Sequence, residues 1–241
     1  RDGYYHIYYY KMNGELVQQL TKGRWDVMDI MGYDKKRKKV YFQATFSSPL
    51  NRDLMAVDLK GNIDLMSSGQ GTNNAEFSAN FDFYINTYSD ANTPPIITLY
   101  KNNGKRVRVL EDNEELKQKL NDHGYQEREF FTIITKEGVE LNAWKITPPD
   151  FDPDKKYPLL MYVYGGPASQ TVLNSFGGGQ TWYQMLAQKG IVCISVDNRG
   201  TGARGEEFRK MTYLQLGKYE TIDHIAAAEY MASQDWIDPD K

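Results

Sequence analysis

Short alternating strands in a unit that recurs at intervals of 47 and 43 residues, followed by apolar strands alternating with helices, predict β-propeller blades followed by an α/β section. The grammar changes near residue 111. The chain is expected to divide into C-terminal blades over 1–110, a linker helix over 111–128 and an α/β part over 129–241.

The first part carries YHIYYY, VYFQAT, DLMAVDL, FYINTY and ITLYK, each bounded by Gly, Asn, Asp or Pro, as expected for short antiparallel strands. Three stretches, HIYYYKMNGELVQQLTKG, LMAVDLKGNIDLMSSGQG and ITLYKNNGKRVRVLEDN, each join two strands through a tight turn at Gly14, Gly61 or Gly104. A repeat of that length with about four strands per unit is that of a propeller blade. Two to three blades do not close a ring of about four to eight, so further blades are expected before Arg1. A β-sandwich whose turns fall at this spacing by coincidence is the alternative.

From 111 the pattern is helical: in DNEELKQKLNDHG, Asn113 stands as N-cap ahead of acidic residues, Leu116 and Leu120 lie at i,i+4, and Gly124 stops the turn. EFFTIIT and VELNAWKIT around a KEG turn predict a hairpin. YPLLMYVY follows a proline-rich loop as an apolar strand, QTWYQMLAQK reads as a helix and GIVCISV as a second buried strand. KYETIDHIAAAEYMASQ predicts a helix with Ile222, Ile225 and Ala226 on its packed face. Apolar strands alternating with helices imply a parallel sheet covered on both faces.

Composition excludes more than it assigns. The 241 residues are 40% hydrophobic and 25% charged, an ordinary globular mixture with room for one large or two small domains. A net charge of −3 gives no electrostatic case for nucleic acid or an anionic membrane, and KKRKK at 35–39 reads as a solvated turn. No apolar run approaches the roughly 18 residues of a membrane span. The opening RDGYYHIYYY has no signal or transit features and reads as the interior of a longer chain, so compartment stays open. Cys193, the one cysteine, lies in GIVCISV as small buried filler. No His, Cys and carboxylate cluster has metal-ligand spacing, and no cofactor motif is present: DNRGTGARG matches neither G-x-x-x-x-G-K-[ST] nor G-x-G-x-x-G.

RVLEDN at 108–113, PPDFDPDKKYPLLMYVYGGP at 148–167, SVDNRGTGARG at 195–205 and LGKYETIDHIAAAEYM at 216–231 resemble the prolyl oligopeptidase family of serine peptidases, in its dipeptidyl peptidase IV branch. The resemblance spans essentially the whole chain, loosely in the blades and tightly from 148 onward. It implies an α/β-hydrolase sheet, incomplete at the C-terminus. In that branch the tyrosine of V-Y-x-G-P supplies a hydroxyl to the oxyanion hole, a role the resemblance gives to Tyr164. The chemistry is sound: a preorganised donor stabilises the charge on an attacked carbonyl, and losing one costs about 2.7–4 kcal/mol in the barrier. By the same resemblance DNRGTGARG shapes the cleft floor, with Arg199 in an internal ion pair.

A nucleophile elbow G-x-S-x-G followed by Asp and His is expected for this fold, and no serine of the chain has that context. The triad is therefore expected after Lys241, and the branch's amine-binding glutamates before Arg1. His224 precedes any elbow and reads as a surface or helix-packing residue; His6, in a blade strand, and His123, in the linker, receive no chemistry. The implied activity of the complete protein is release of N-terminal dipeptides from peptides, commonly with proline second, this segment alone being inactive. The alternatives are an acylaminoacyl peptidase or oligopeptidase of the same family, or a non-catalytic binding protein. A homodimer and a periplasmic or cell-envelope home follow from the resemblance by analogy only.

Overall fold

The computed structural model describes residues 2–67, 69–177 and 180–240. The chain forms two compact units: Arg1–Lys117 with Leu173–Phe176 and Ala203–Glu206, and Gln118–Val172 with Gly177–Gly202 and Glu207–Lys241. No helix among the described residues is long and apolar enough to cross a membrane.

The first unit is built from hairpins. Strands β1 (Tyr8–Tyr10) and β2 (Leu16–Gln19) form a two-stranded sheet, whereas β3 (Val27–Asp34), β4 (Lys39–Ala44), β5 (Asp53–Asp58) and β6 (Ile63–Leu65) form a four-stranded antiparallel meander. A second four-stranded sheet follows, of β7 (Thr72–Phe77), β8 (Phe83–Ser89), β9 (Ile96–Lys101) and β10 (Arg106–Glu111). The repeating turn has one geometry at β1–β2, β5–β6 and β9–β10. The glycine N–H donates to the carbonyl three residues earlier, Gly14 to Lys11 at 3.0 Å, Gly61 to Asp58 at 3.1 Å and Gly104 to Lys101 at 2.9 Å. The glycine φ values are 87°, 87° and 80°, which only a residue without Cβ adopts freely.

Tyrosine richness is used between the two sheets. Tyr41 packs on Phe77 and Phe81 with ring centroids 4.5 and 5.5 Å apart, and Tyr84 joins Phe77 to Tyr100 at 5.1 Å on each side. Offset aromatic contacts of this kind add about 0.5–1.5 kcal/mol each beyond the area they bury. Asn174, from a later part of the chain, stitches the same unit: its amide donates to Asn51 Oδ1 at 3.1 Å, its side-chain oxygen accepts from Ala91 N–H at 2.9 Å, and its carbonyl accepts from Thr72 Oγ1 at 2.9 Å. KKRKK forms a turn held by Asp34, which accepts the Lys36 and Arg37 N–H groups at 2.8 and 3.1 Å.

Helix α1 (Glu114–Asp122) departs from its expected cap and face. Asn113 adopts φ 54° and its amide turns back to the Pro95 carbonyl at 2.6 Å, leaving Asp112 Oδ1 to accept the Glu114 N–H at 3.2 Å. No residue of α1 is buried, so Leu116 and Leu120 form no packed stripe. His6 falls just before β1 rather than within a strand.

The second unit carries a mixed sheet in the order β11 (Glu129–Ile134), β12 (Glu140–Ile146), β14 (Val192–Val196), β13 (Leu159–Tyr162). The predicted β11–β12 hairpin is present, β12 pairs antiparallel with β14, and only β13 and β14 run parallel. Every residue of β14 is buried, as a continuous apolar run requires. Helices α2 (Gln180–Ala187), α3 (Gly205–Lys210) and α4 (Lys218–Ala232) complete the chain. In α4 the buried residues are Asp223, His224, Ala227 and Met231, not the expected Ile222, Ile225 and Ala226. Met231 and Ala227 pack on Ile194 and Val196, and the isoleucine face is turned away from that core. Beyond α4, Tyr157 and Ile237 make an isolated parallel bridge, with Tyr157 N–H donating to Trp236 O and Asp238 N–H to Tyr157 O, each at 2.9 Å.

Candidate active site

β13 ends at Tyr162, and the chain leaves it through Val163, Tyr164, Gly165, Gly166 and Pro167. Tyr164 is 63% exposed, and its hydroxyl makes no hydrogen bond among the described residues. The two glycines after it have separate jobs. Gly166 lies under the Tyr164 ring: a Cβ there would stand 2.9 Å from Cε1 and 3.4 Å from the hydroxyl, so the bare backbone is what lets the ring lie down. Gly165 has φ 68°, and a Cβ on it would meet Asn198 Oδ1 at 3.3 Å and His224 Nε2 at 3.5 Å. The turn closes with Ser169 N–H, and also its hydroxyl, donating to Gly166 O.

Beneath that turn runs the DNRGTGARG loop. Ala168 N–H donates to Gly200 O at 2.8 Å, and Gly202 N–H to Ser169 O at 3.0 Å. The contact is close enough that a Cβ on Gly202 would stand 2.9 Å from Ala168 O, and one on Gly200 2.6 Å from Thr212 Cγ2. The loop's glycines thus serve backbone approach, and the Gly200, Thr201 and Gly202 N–H groups are spent on protein carbonyls rather than left to cradle a phosphate. Asp197 Oδ1 accepts from Thr171 N–H at 2.8 Å and from its hydroxyl at 3.0 Å, which fixes the chain after the turn.

Arg199 is the ion-pair partner the sequence suggests. It is 2% exposed, and its partner Asp223 is fully buried. The Arg199 N–H and Nη2 each donate to Asp223 at 2.7 Å and Nε at 2.9 Å, while Nη1 reaches Glu137 at 2.5 Å and the guanidinium stacks 4.5 Å from the Tyr219 ring centroid. Burial alone would lower the Arg199 pKa, but the hydrogen bonds it donates to Asp223 and Glu137 outweigh it and hold the group above its ordinary value. Such a bidentate pair ties the DNRGTGARG loop to α4.

On the other side of the turn lies an open cavity of about 550 Å³, lined by Met161, Tyr164, Gly166, Glu220, His224 and Ile225 among others. His224 is 8% exposed, and neither ring nitrogen has a hydrogen-bond partner among the described residues. Asn198 Oδ1 and Glu220 Oε2 are likewise buried and unpartnered, and all three residues gather around Gly165. Burial pushes the His224 pKa down, against the opposing pull of Asp223 and Glu220, so the ring is held toward its neutral form. Neither Glu220 nor Asn198 stood out in the sequence; the i,i+4 spacing of Glu220 and His224 on a helix was the one available signal. Cys193 is fully buried in β14, and burial raises its thiol to about 11, which keeps it inert filler. Among the described residues no group of three or more His, Cys, Asp or Glu is arranged to hold a metal ion.

The comparisons with known proteins agree in direction. Residues 1–95 match the family model of the dipeptidyl peptidase IV N-terminal region, and residues 180–241 that of the prolyl oligopeptidase family; Tyr164 falls between the two spans. The crystal structure of Porphyromonas gingivalis dipeptidyl peptidase 4 superposes with a TM-score of 0.93 at 44% identity, covering 98% of this chain and 33% of that one. Dipeptidyl peptidase 4 of Trichophyton rubrum is 34% identical over 245 residues, 99% of this chain and 32% of the relative, and that of Trichophyton equinum is 33% identical over the same length and shares. The chain therefore spans about a third of the length of the relatives it matches.

Proposed function

From the prolyl oligopeptidase family, to which this chain belongs through its dipeptidyl peptidase IV branch, we propose that it is an internal section of a serine exopeptidase. That enzyme removes dipeptides, preferentially X-Pro, from peptide N-termini. Residues 1–110 are then the last blades of a β-propeller, 111–128 the linker, and 129–241 the first part of an α/β-hydrolase sheet. The serine, aspartate and histidine of the triad belong to the full-length protein outside these residues, since no G-x-S-x-G occurs within them.

One observation carries the reading: at the C-terminal tip of a parallel strand, an exposed tyrosine keeps its hydroxyl unspent while its ring rests on a glycine. Reacting groups of such sheets gather outside the carboxyl ends of the strands. In the reaction, the serine Oγ attacks the scissile carbonyl and gives its proton to the histidine. Tyr164 O–H and a backbone N–H donate to the oxygen that becomes negative; collapse expels the amine, which takes the histidine's proton, and water repeats the sequence on the acyl-enzyme. A donor already fixed needs no reorganisation as charge develops, which is where its value lies.

The test is Tyr164→Phe in the full-length protein, assayed on Gly-Pro p-nitroanilide. The expected result is a loss of about a hundredfold or more in kcat with the fold intact. Turnover within about twofold of wild type sinks the oxyanion role, and no turnover by the wild type sinks the peptidase reading itself.

A further inference from the structure

A buried polar atom without a partner costs about 1–3 kcal/mol, so single exceptions are uncommon and clusters call for an explanation. Here three residues packed around Gly165 carry four such atoms, both nitrogens of His224, Glu220 Oε2 and Asn198 Oδ1; Asn198 Oδ1 and His224 Nε2 face Gly165, and His224 and Glu220 line the cavity beside Tyr164. Local rearrangement does not supply the missing partners. The Asn198 amide already donates to Arg199 O at 2.6 Å, which leaves its oxygen aimed at Gly165. Gly165 itself has no side chain, and Asp223, the nearest charged neighbour of His224 in sequence, is committed to Arg199.

The chemistry of the cluster defines what fits it. A neutral imidazole offers one donor and one acceptor, and the two oxygens are acceptors, so the set is rich in acceptors and matches peptide N–H groups with one carbonyl among them. The fold indicates where such backbone comes from. β13 pairs with β14 along one edge only. Pro158 O accepts from Val192 N–H on that side, so alternation turns the Tyr157 backbone to the free side, where Trp236 and Asp238 bond to it. The chain around Ile237 thus already lies on the open edge, parallel to β13. Eight positions separate Tyr157 from Gly165. A strand running on from Ile237 needs at least about as many, at about 3.3 Å each, to draw level with the cluster, which places the matching residues past Lys241.

We infer that His224, with Glu220 and Asn198, is a seat for the backbone of the chain segment that follows along the free edge of β13, and that by fixing this segment against Gly165 it positions Tyr164. His224 is a positioning residue in this scheme, not a catalytic one. The inference rests on the peptidase reading of Tyr164, and its test separates the two.

In the full-length protein, kcat and KM on Gly-Pro p-nitroanilide are measured for His224→Leu, His224→Gln, Tyr164→Phe and the His224→Leu/Tyr164→Phe double variant, with Tm for each. The expected result is a kcat at least about tenfold lower for His224→Leu with KM within about twofold. Glutamine, which also offers a donor and an acceptor, brings kcat back to within about threefold, and in the Tyr164→Phe background the leucine costs less than about twofold because the two act as one unit. Wild-type turnover in His224→Leu, an equal penalty in the Tyr164→Phe background, or no rescue by glutamine overturns the inference. Should His224→Leu not fold, His224→Asn replaces it, its amide being too short to reach: a rate about tenfold below His224→Gln supports the seat, and equal rates overturn it. If the wild type leaves the amide uncut, the peptidase reading falls, and the seat is judged on Tm alone. A drop in His224→Leu that glutamine restores keeps it, and an unchanged Tm removes it.

Discussion

Asp223 and His224 are adjacent in α4 and both buried, yet the carboxylate takes hydrogen bonds from the backbone, Nε and Nη2 of Arg199, while neither imidazole nitrogen has a partner among the described residues. One peptide step along the helix separates the finished side of the site from its open side. On the finished side, the DNRGTGARG loop is hydrogen-bonded both to the turn after Tyr164 and to α4. The open side presents a cavity with unspent acceptors. The contrast teaches that neighbouring residues of one helix meet opposite fates: the polar groups of Asp223 are taken up by the loop it braces, and those of His224 are left unspent beside the cavity.

The largest expected effect breaks the finished side. Asp223→Asn leaves a buried guanidinium with Glu137 as its remaining carboxylate, and removing one partner of a buried pair costs about 3–5 kcal/mol. Urea unfolding of the full-length protein, followed by tryptophan fluorescence, measures it; a loss under about 1 kcal/mol would show that the floor does not depend on the pair. Next, Gly166→Ala puts a methyl where the Tyr164 ring lies. On the proposed oxyanion role, displacing that hydroxyl by about an ångström costs on the order of a hundredfold in rate, with little change in unfolding midpoint, and a kcat unchanged by the alanine would show that the ring's resting place is irrelevant to turnover.

The smallest effect sharpens the open side through pH. The His224 pKa in the folded chain lies below its ordinary 6.5. The unfolded chain therefore binds that proton more readily, and stability falls as pH drops below 6.5 until the folded ring is protonated as well, by at most about 1.4 kcal/mol per pH unit. His224→Gln removes this contribution, so the difference between wild-type and variant Tm values should grow on acidification from pH 7 to 5. A difference independent of pH would mean that the ring titrates alike in both states.

Much of this was legible in residues whose structural reason is local. The turns at Gly14, Gly61 and Gly104 need only a left-handed residue between two strands, and the sequence spacing marks all three. GIVCISV declares a fully buried strand by its composition, whereas the Arg199 ion pair was implied only by the resemblance of its loop. What failed depended on neighbours distant in sequence. Asn113 looks like a cap, but the Pro95 carbonyl 18 residues earlier claims its amide. The isoleucine face of α4 looks like the packed one, but the β14 core takes the alanine and methionine side instead. The role of Gly166 has no sequence signature beyond the motif, because it exists only once the Tyr164 ring folds back over it. His224 precedes any elbow, and the fold's Ser-Asp-His order that argues against a catalytic role for it carries no information on its burial or its unpartnered nitrogens.

The Tyr157–Ile237 bridge has a consequence for assembly. In a pleated sheet a shift of one residue turns every side chain to the opposite face. By pinning Ile237 to Tyr157, the fold sets the phase of any strand laid along β13, and with it which of that strand's side chains face each side of the sheet.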